Sequence, residues 1–187
     1  MKTQEQLEDI LKSDKTLTML KGILDVHNKK HGQSFMSDDR IYCSIIGGAV
    51  IDILEGRNVK DYDLYDWKQN TIDFFLENGF TYDYESKTSI TIKKGKLVLQ
   101  FLKNKLENFD FIISQSRFSL VSESLTIDLL SFNEKILIPT SFDNKMNIIN
   151  SLQRVPHWRK KGYSIPDLTY LSLVRNIDYS VNKKLKS

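Results

Sequence analysis

Residues 45–64 read IIGGAVIDILEGRNVKDYDL. The stretch opens with apolar, β-branched residues that are typical of a buried strand, and Gly47-Gly48 ends that strand. Residues 49–55 then predict a short helix, which Gly56 ends. Residues 61–67 carry aromatic side chains in an alternating pattern and predict a second strand. The order of strand, glycine turn, helix and strand indicates a domain that mixes helices with a sheet.

The same stretch carries residues suited to phosphate chemistry. Gly47 and Gly48 allow the backbone to approach a ligand closely, and the N–H groups that begin the following helix suit a phosphate. Asp61 and Asp63 are two positions apart on a strand, so their side chains face the same way. Two adjacent carboxylates repel unless a cation joins them, and their oxygens are ligands that Mg²⁺ prefers. Each feature alone is common in turns and solvated strands, but the ordered combination indicates metal-assisted phosphoryl or nucleotidyl transfer.

The spacing Gly-Gly-x-Val-x-Asp-x-Leu-x-Gly, followed after four residues by Asp-x-Asp, resembles a known family. It is similar to the head domain of the poly(A) polymerases and tRNA CCA-adding enzymes, within the DNA polymerase β-like nucleotidyltransferase superfamily. Eight positions carry this resemblance: Gly47, Gly48, Val50, Asp52, Leu54, Gly56, Asp61 and Asp63. Residues 109–114 resemble the family's Arg-Asp-Phe-Thr-Ile-Asn segment, residues 138–155 its Asp-Pro to Arg-Val stretch, and residues 167–175 its first neck helix. The resemblance covers roughly residues 41–175 and is strongest at 45–64.

The resemblance implies an α+β (α/β) fold with a short mixed sheet, flanking helices and a helical C-terminal extension. It implies transfer of a nucleoside monophosphate from a nucleoside triphosphate to a hydroxyl of RNA or another acceptor, with two Mg²⁺ or Mn²⁺ ions. The implied catalytic and metal-binding residues are Asp61, Asp63 and Asp110. The implied nucleotide-binding residues are Gly47, Gly48, Lys60, Arg57 and Gln100, where Lys60 or Arg57 replaces missing family arginines.

The chain also departs from the family pattern. Ile51 and Phe109 stand where the family has arginines that meet the nucleotide, which indicates an altered grip on the triphosphate. Residues 165–169 lack the neck motif Glu-Asp-x-x-Arg that reads the incoming base. The 187 residues also leave no room for the body and tail domains that hold tRNA, so we do not expect CCA addition itself.

The third carboxylate of the superfamily has no single candidate in this sequence. The strand expected to carry it, residues 97–102, has no acid, and Gln100 stands there as a neutral replacement. Asp110 is the preferred candidate and Asp128 a further one. Two alternative functions therefore stay open. One is a weak or inactive relative that binds nucleotide, RNA or a protein partner, and the other is a toxin- or defence-type enzyme that modifies RNA or protein.

The composition of the chain limits the classes of protein to which it can belong. The chain has 187 residues, of which 40% are hydrophobic and 27% charged, so wholesale disorder and a fibrous repeat are excluded. No apolar run approaches the roughly 18 residues of a membrane span, and the polar N-terminus favours a cytoplasmic protein. The single cysteine, Cys43, excludes an internal disulfide framework and a cysteine-rich zinc site. A net charge of +3 permits contact with nucleic acid but does not indicate it alone.

Periodicity outlines the rest of the chain. Residues 4–31 predict helix with a break near Ser13-Asp14, and we expect a head domain over 1–140 that includes an N-terminal helical segment, 1–32. The predicted strands are 80–85, 89–93, 97–102, 109–113, 116–120 and 125–130. Residues 143–154 and a helix opened by Pro166 predict a helical extension over 141–187, which resembles a truncated neck. In it, Trp158, Arg159, Lys160 and Lys161 are candidate RNA contacts, with packing of Trp158 against the body as the alternative.

Overall fold

The computed structural model describes residues 1–31, 42–103, 109–141 and 145–184. These residues form two compact units. The sheet unit comprises the described residues of Lys2–Asn104 and Ser116–Thr126, and the helical unit comprises those of Lys105–Gln115 and Ile127–Ser187. The chain therefore leaves the sheet unit, returns to it and leaves it again. The predicted domain boundary at residue 140 stays a prediction, because these units divide the chain at other positions.

Two helices open the sheet unit, α1 at Gln4–Ser13 and α2 at Lys15–His31. The Thr3 side chain caps α1, and Gln6 completes a reciprocal capping box with it. The predicted break near Ser13-Asp14 is confirmed: Asp14 has an extended backbone, and its Oδ1 accepts hydrogen bonds from the N–H groups of Thr16 and Leu17. Asp14 thus ends one helix and begins the next. The buried side of the pair is a stripe of leucines: Leu7, Leu11, Leu17, Leu20 and Leu24.

Seven strands form one mixed sheet. They are β1 (Ser44–Ile46), β2 (Tyr62–Tyr65), β3 (Thr81–Glu85), β4 (Ser89–Lys94), β5 (Leu97–Leu102), β6 (Arg117–Ser119) and β7 (Leu125–Thr126). Their order is β3-β4-β5-β2-β1-β6-β7, with β2 and β5 parallel and every other pair antiparallel. Helix α3 (Gly48–Leu54) connects β1 to β2, and α4 (Gln69–Glu77) connects β2 to β3. The predicted mixed sheet with flanking helices is confirmed.

One face of the sheet carries the apolar core. Ile45, Leu64 and Phe101 lie side by side on β1, β2 and β5, and all three are fully buried. Phe75 of α4 packs on this face, with its ring 6.0 Å from that of Phe101. Cys43, just before β1, is buried as well. Burial raises the pKa of its thiol far above the ordinary range, so Cys43 stays a protonated, apolar core residue.

Thr91 on β4 gives a stability test of this sheet. Its side chain is 1% exposed, and its Oγ1 has no hydrogen-bond partner among the residues described. We expect Thr91→Val to raise the free energy of unfolding by about 1 kcal/mol, since it removes an unsatisfied buried hydroxyl and keeps the side-chain shape. Urea denaturation would measure this. Thr71→Val is the matched control, because the buried Thr71 Oγ1 accepts a hydrogen bond from the Lys68 N–H and its loss should destabilise. A destabilised Thr91→Val would contradict the expectation.

The helical unit contains a 3-10 turn at Ile112–Gln115 and three helices, α5 (Leu129–Glu134), α6 (Lys145–Lys160) and α7 (Asp167–Lys184). The predicted helices of this region are present, and α6 continues past the predicted end at residue 154 and through Pro156. Proline there removes one backbone hydrogen bond but leaves the helix assigned to residue 160. None of the helices in the described ranges is long and apolar enough to cross a membrane.

One predicted strand is wrong, and another is shorter than predicted. In place of a strand over 109–113, the chain makes one isolated bridge, from Phe111 to Pro139, and then the 3-10 turn. In place of a strand over 125–130, β7 ends at Thr126 and α5 begins at Leu129. Here Asp128 is the helix cap, since its carboxylate accepts a hydrogen bond from the Ser131 N–H at 2.7 Å. Local side-chain hydrogen bonds of this kind compete with strand pairing in short apolar runs.

Candidate active site

The glycine turn at the end of β1 has a backbone that only glycine adopts readily. Gly47 has φ 66° and ψ −128°, and its N–H donates a 2.8 Å hydrogen bond to the carbonyl of Ser116. Gly48 is the first residue of α3, whose opening N–H groups have no partners within the helix. The predicted glycine turn and helix are therefore present. Because the Gly47 N–H is bonded to Ser116, the backbone donors at the end of this central strand are those that open α3.

The two predicted metal-binding aspartates lie beside this turn. Asp63 on β2 pairs with Ile46, the last residue of β1, so its Cα lies about 5 Å from the residue before Gly47. On its other side, Asp63 pairs with Gln100 of the parallel strand β5. Gln100 Nε2 donates a hydrogen bond of 3.2 Å to Asp61 Oδ2. Directly paired residues share a face of the sheet, so Asp61, Asp63 and Gln100 form one partly exposed polar cluster.

Tyr62, between the two aspartates, points the other way. Its side chain is 7% exposed and belongs to the apolar face with Leu64. Burial raises the pKa of its phenol, and a hydrogen bond with the Thr16 side chain opposes that rise. Tyr62 therefore packs in the core and anchors β2, which fixes the direction in which Asp61 and Asp63 project.

The two predicted phosphate-binding cations differ in their surroundings. Lys60 precedes Asp61, is exposed, and makes no ion pair with any residue that the structure describes. Arg57 is held by acids of its own connection: its Nε lies 2.8 Å from Asp52 Oδ1, and its Nη1 pairs with Glu55. Arg57 thus stabilises the loop that connects α3 to β2. Lys60 is the cation left for a ligand.

Asp110 lies in the helical unit and is 3% exposed. Its Oδ1 accepts a 2.7 Å hydrogen bond from Ser114 Oγ, and its Oδ2 lies 3.1 Å from Arg154 Nε. Oδ1 is therefore hydrogen-bonded, whereas the buried Oδ2 has the ion-pair contact with the half-exposed Arg154 but no hydrogen-bond donor within the described ranges. Its predicted role as a metal ligand stays a prediction. Asp128, the other candidate, is the cap of α5 described above.

The two residues that stand where the family has arginines differ in exposure. Ile51 is fully buried in α3 and offers no surface to a ligand, whereas Phe109 is partly exposed. Within the described ranges, no group of three or more His, Cys, Asp or Glu side chains is arranged to hold a metal ion. The donor set of the cluster is therefore two carboxylates and one amide. These hard oxygen donors fit Mg²⁺ or Mn²⁺ that shares its coordination with substrate phosphates.

The predicted RNA contacts divide into a buried and an exposed part. Trp158 is 0% exposed, and its indole packs against Tyr163 at a centroid distance of 5.2 Å, which agrees with the packing alternative. Its contact with RNA stays a prediction. Lys161 lies 5.4 Å above its ring. Arg159 and Lys160 at the end of α6 are exposed. Of the four predicted contacts, Arg159 and Lys160 are therefore the exposed ones that could meet a phosphate backbone.

Sequence reasoning missed two contacts that shape these sites. Ser116 fixes Gly47 through a main-chain carbonyl, and main-chain contacts leave no residue-type signal. Arg154 pairs with Asp110 from 44 positions along the chain (154 − 110), a separation that no local pattern reports.

Solved structures share this fold. The CCA-adding enzyme of Thermotoga maritima in complex with tRNA matches with a TM-score of 0.67 and 15% identity, over 95% of this chain and 46% of that one. A CCA-adding enzyme in complex with CTP matches at 0.65 and 16% identity, over 94% and 44%. A tRNA nucleotidyltransferase with a primer tRNA and an incoming ATP analogue matches at 0.61 and 19%, over 87% and 52%. No protein-family model and no curated protein matches the chain in sequence.

The chain therefore has the fold of the head region of CCA-adding nucleotidyltransferases, as the sequence predicts. It spans about half the length of these structures.

Proposed function

We propose that this chain transfers a nucleoside monophosphate from a nucleoside triphosphate to a hydroxyl group of an RNA acceptor. The observation that carries the proposal is the register of the central strands. It places Asp63 opposite the residue that precedes the glycine turn, with Asp61 and Gln100 on the same face. A phosphate-binding turn and a pair of carboxylates thus lie side by side within one unit.

Each residue of the cluster has a defined part in this reaction. The N–H groups that open α3 at Gly48 bind the triphosphate, and Lys60 contacts its charged oxygens. Gly47, whose own N–H is bonded to the Ser116 carbonyl, shapes the turn that brings these donors to the ligand. Asp61 and Asp63 hold divalent metal ions. When bound, such ions lower the pKa of the acceptor hydroxyl and neutralise charge on the leaving pyrophosphate. The buried Tyr62 holds both aspartates in the orientation that this requires.

The RNA acceptor is supported by the exposed cations of α6. Arg159 and Lys160 follow one another at the end of the helix, where both side chains are exposed. Such cations bind phosphates without regard to base sequence, so we expect salt-sensitive binding with little sequence preference. The solved structures with tRNA and nucleotides support RNA and triphosphate as the ligand classes to test first.

A second candidate function is binding without turnover. It is favoured by the buried Ile51, which replaces an expected arginine, and by Gln100, which stands where an acid is expected. A chain of this kind binds the triphosphate with its metal but does not transfer the nucleotide.

Label transfer distinguishes these functions. The protein is incubated with Mg²⁺ or Mn²⁺, total RNA, a protein extract and one nucleoside triphosphate labelled at either the α- or the γ-phosphate. We expect label on RNA from the α-labelled nucleotide only. Label from the γ-phosphate would indicate a kinase, and label on protein would indicate a different acceptor. Bound triphosphate without transfer would support the second candidate.

A further inference from the structure

Gln100 occupies the position beside the aspartates that completes the polar cluster. Three neighbouring strands place Gln100 on β5 next to Asp63 on β2, and Asp63 next to Ile46 on β1. The hydrogen bond from Gln100 Nε2 to Asp61 Oδ2 closes the cluster from the β5 side. Any metal ion held by both aspartates therefore lies within reach of this amide.

An amide at this position changes the charge of the site. Asp61 and Asp63 supply two negative charges, and Gln100 adds none. Its N–H also occupies a lone pair of Asp61 that a metal ion would otherwise use. Asp110, the other acid considered, belongs to the helical unit, where Ser114 and Arg154 contact its carboxylate. A divalent cation alone thus meets few ligands and only modest attraction, since Mg²⁺ dehydrates reluctantly.

A bound nucleoside triphosphate supplies the metal ligands and the negative charge that the cluster lacks. Its oxygens are additional hard ligands, and its negative charge compensates for the missing acid. We propose that Gln100 is a positioning residue that keeps the free site poor in metal, so that the divalent cation enters together with the nucleoside triphosphate. This inference rests on the proposed function, because it concerns the same two aspartates.

Metal binding without catalysis tests the proposal. Free Mn²⁺ is measured by electron paramagnetic resonance while the protein is titrated, first without nucleotide. We expect weak binding by the wild-type chain and at least about tenfold tighter binding by Gln100→Glu, which adds a carboxylate of the same shape. Gln100→Met keeps the length of the side chain but adds no charge, so it should not reproduce this gain. Gln153→Glu, at an exposed position of α6, controls for net charge.

Nucleotide affinity gives the second readout. Equilibrium dialysis measures binding of a non-hydrolysable triphosphate analogue with and without Mn²⁺. Coupling between two ligands is reciprocal, so a metal that enters with the nucleotide must raise the affinity for the nucleotide by the same factor. We expect a gain of at least about tenfold in the wild type and a smaller one in Gln100→Glu, where the metal already binds alone.

The outcomes separate the two proposals. Unchanged Mn²⁺ affinity in Gln100→Glu, or an equal gain in Gln100→Met, would overturn the role of Gln100. If metal-dependent nucleotide binding were still lost in Asp61→Asn/Asp63→Asn, the proposed function would survive that result. If the wild type bound neither Mn²⁺ nor the analogue under any condition, the proposed function would fall as well. Thermal melting of each variant confirms that it is folded.

Discussion

Replacing Asp61 and Asp63 together by asparagine should lower the rate of nucleotide transfer about 10³-fold or more. Asparagine keeps the shape and the hydrogen bond from Gln100 but removes both negative charges that hold the metal ions. A factor of about 10³ corresponds to roughly 4 kcal/mol of lost transition-state stabilisation, which is the scale expected when metal-assisted chemistry fails. The α-label assay with total RNA measures this rate directly.

The control for this variant is a matched change of charge elsewhere. Asp73 and Asp83 are exposed acids on α4 and β3, and Asp73→Asn/Asp83→Asn alters the net charge by the same amount. It should transfer label at the wild-type rate. Both double variants should melt near the wild-type temperature. Full activity in Asp61→Asn/Asp63→Asn would exclude these aspartates from the reaction and with them the proposed mechanism.

Trp158→Ala should lower the free energy of unfolding of the helical unit by about 3–5 kcal/mol. The indole is fully buried and packs edge-to-face on Tyr163, so its removal leaves a large cavity. Trp158→Phe should cost much less, because it keeps an aromatic ring and removes an indole N–H that has no partner in the described part of the chain. Denaturant titration followed by circular dichroism measures both variants.

A variant of the neighbouring Arg159, compared with Trp158→Phe, separates packing from RNA binding. Arg159→Ala changes an exposed cation, so it should weaken RNA binding and leave stability nearly unchanged. Trp158→Phe should keep RNA binding. Loss of RNA binding in a stably folded Trp158→Phe would return the indole to the role of a base-stacking residue.

Local patterns predicted the parts of the fold that local chemistry determines. The break at Asp14, the glycine turn at Gly47 and the alternation of Asp61 and Asp63 each depend on residues within a few positions. Alternation alone places both carboxylates opposite the buried Tyr62. The glycine turn and the pair of aspartates could therefore both be predicted from the sequence alone.

The remaining features depend on pairings distant in sequence. Gln100 and Asp61 are 39 positions apart in the sequence. They form a hydrogen bond because β5 pairs with β2 in parallel. The strand predicted at 109–113 is absent and the one at 125–130 is shorter than predicted, because apolar runs of this length fit a strand or a helix equally. Asp110 and Asp128 form local hydrogen bonds there. The basic neighbours of Trp158 left RNA contact and packing as alternatives, because local sequence does not show whether the indole meets the buried Tyr163 five residues on.

The chain passes between the sheet unit and the helical unit more than once, which limits how the protein can be cut into separate domains. The described residues 109–115 belong to the helical unit although sheet residues stand on both sides of them in the sequence. The Ile112 N–H bonds to the Ile138 carbonyl, and Phe111 bridges Pro139, so this segment depends on residues that come later. A chain cut after Thr126 would keep every strand of the sheet but would expose Phe111 and Ile113, which are fully buried. A chain shortened in this way would thus expose apolar surface and be prone to aggregate, and neither unit can be released by a single cut.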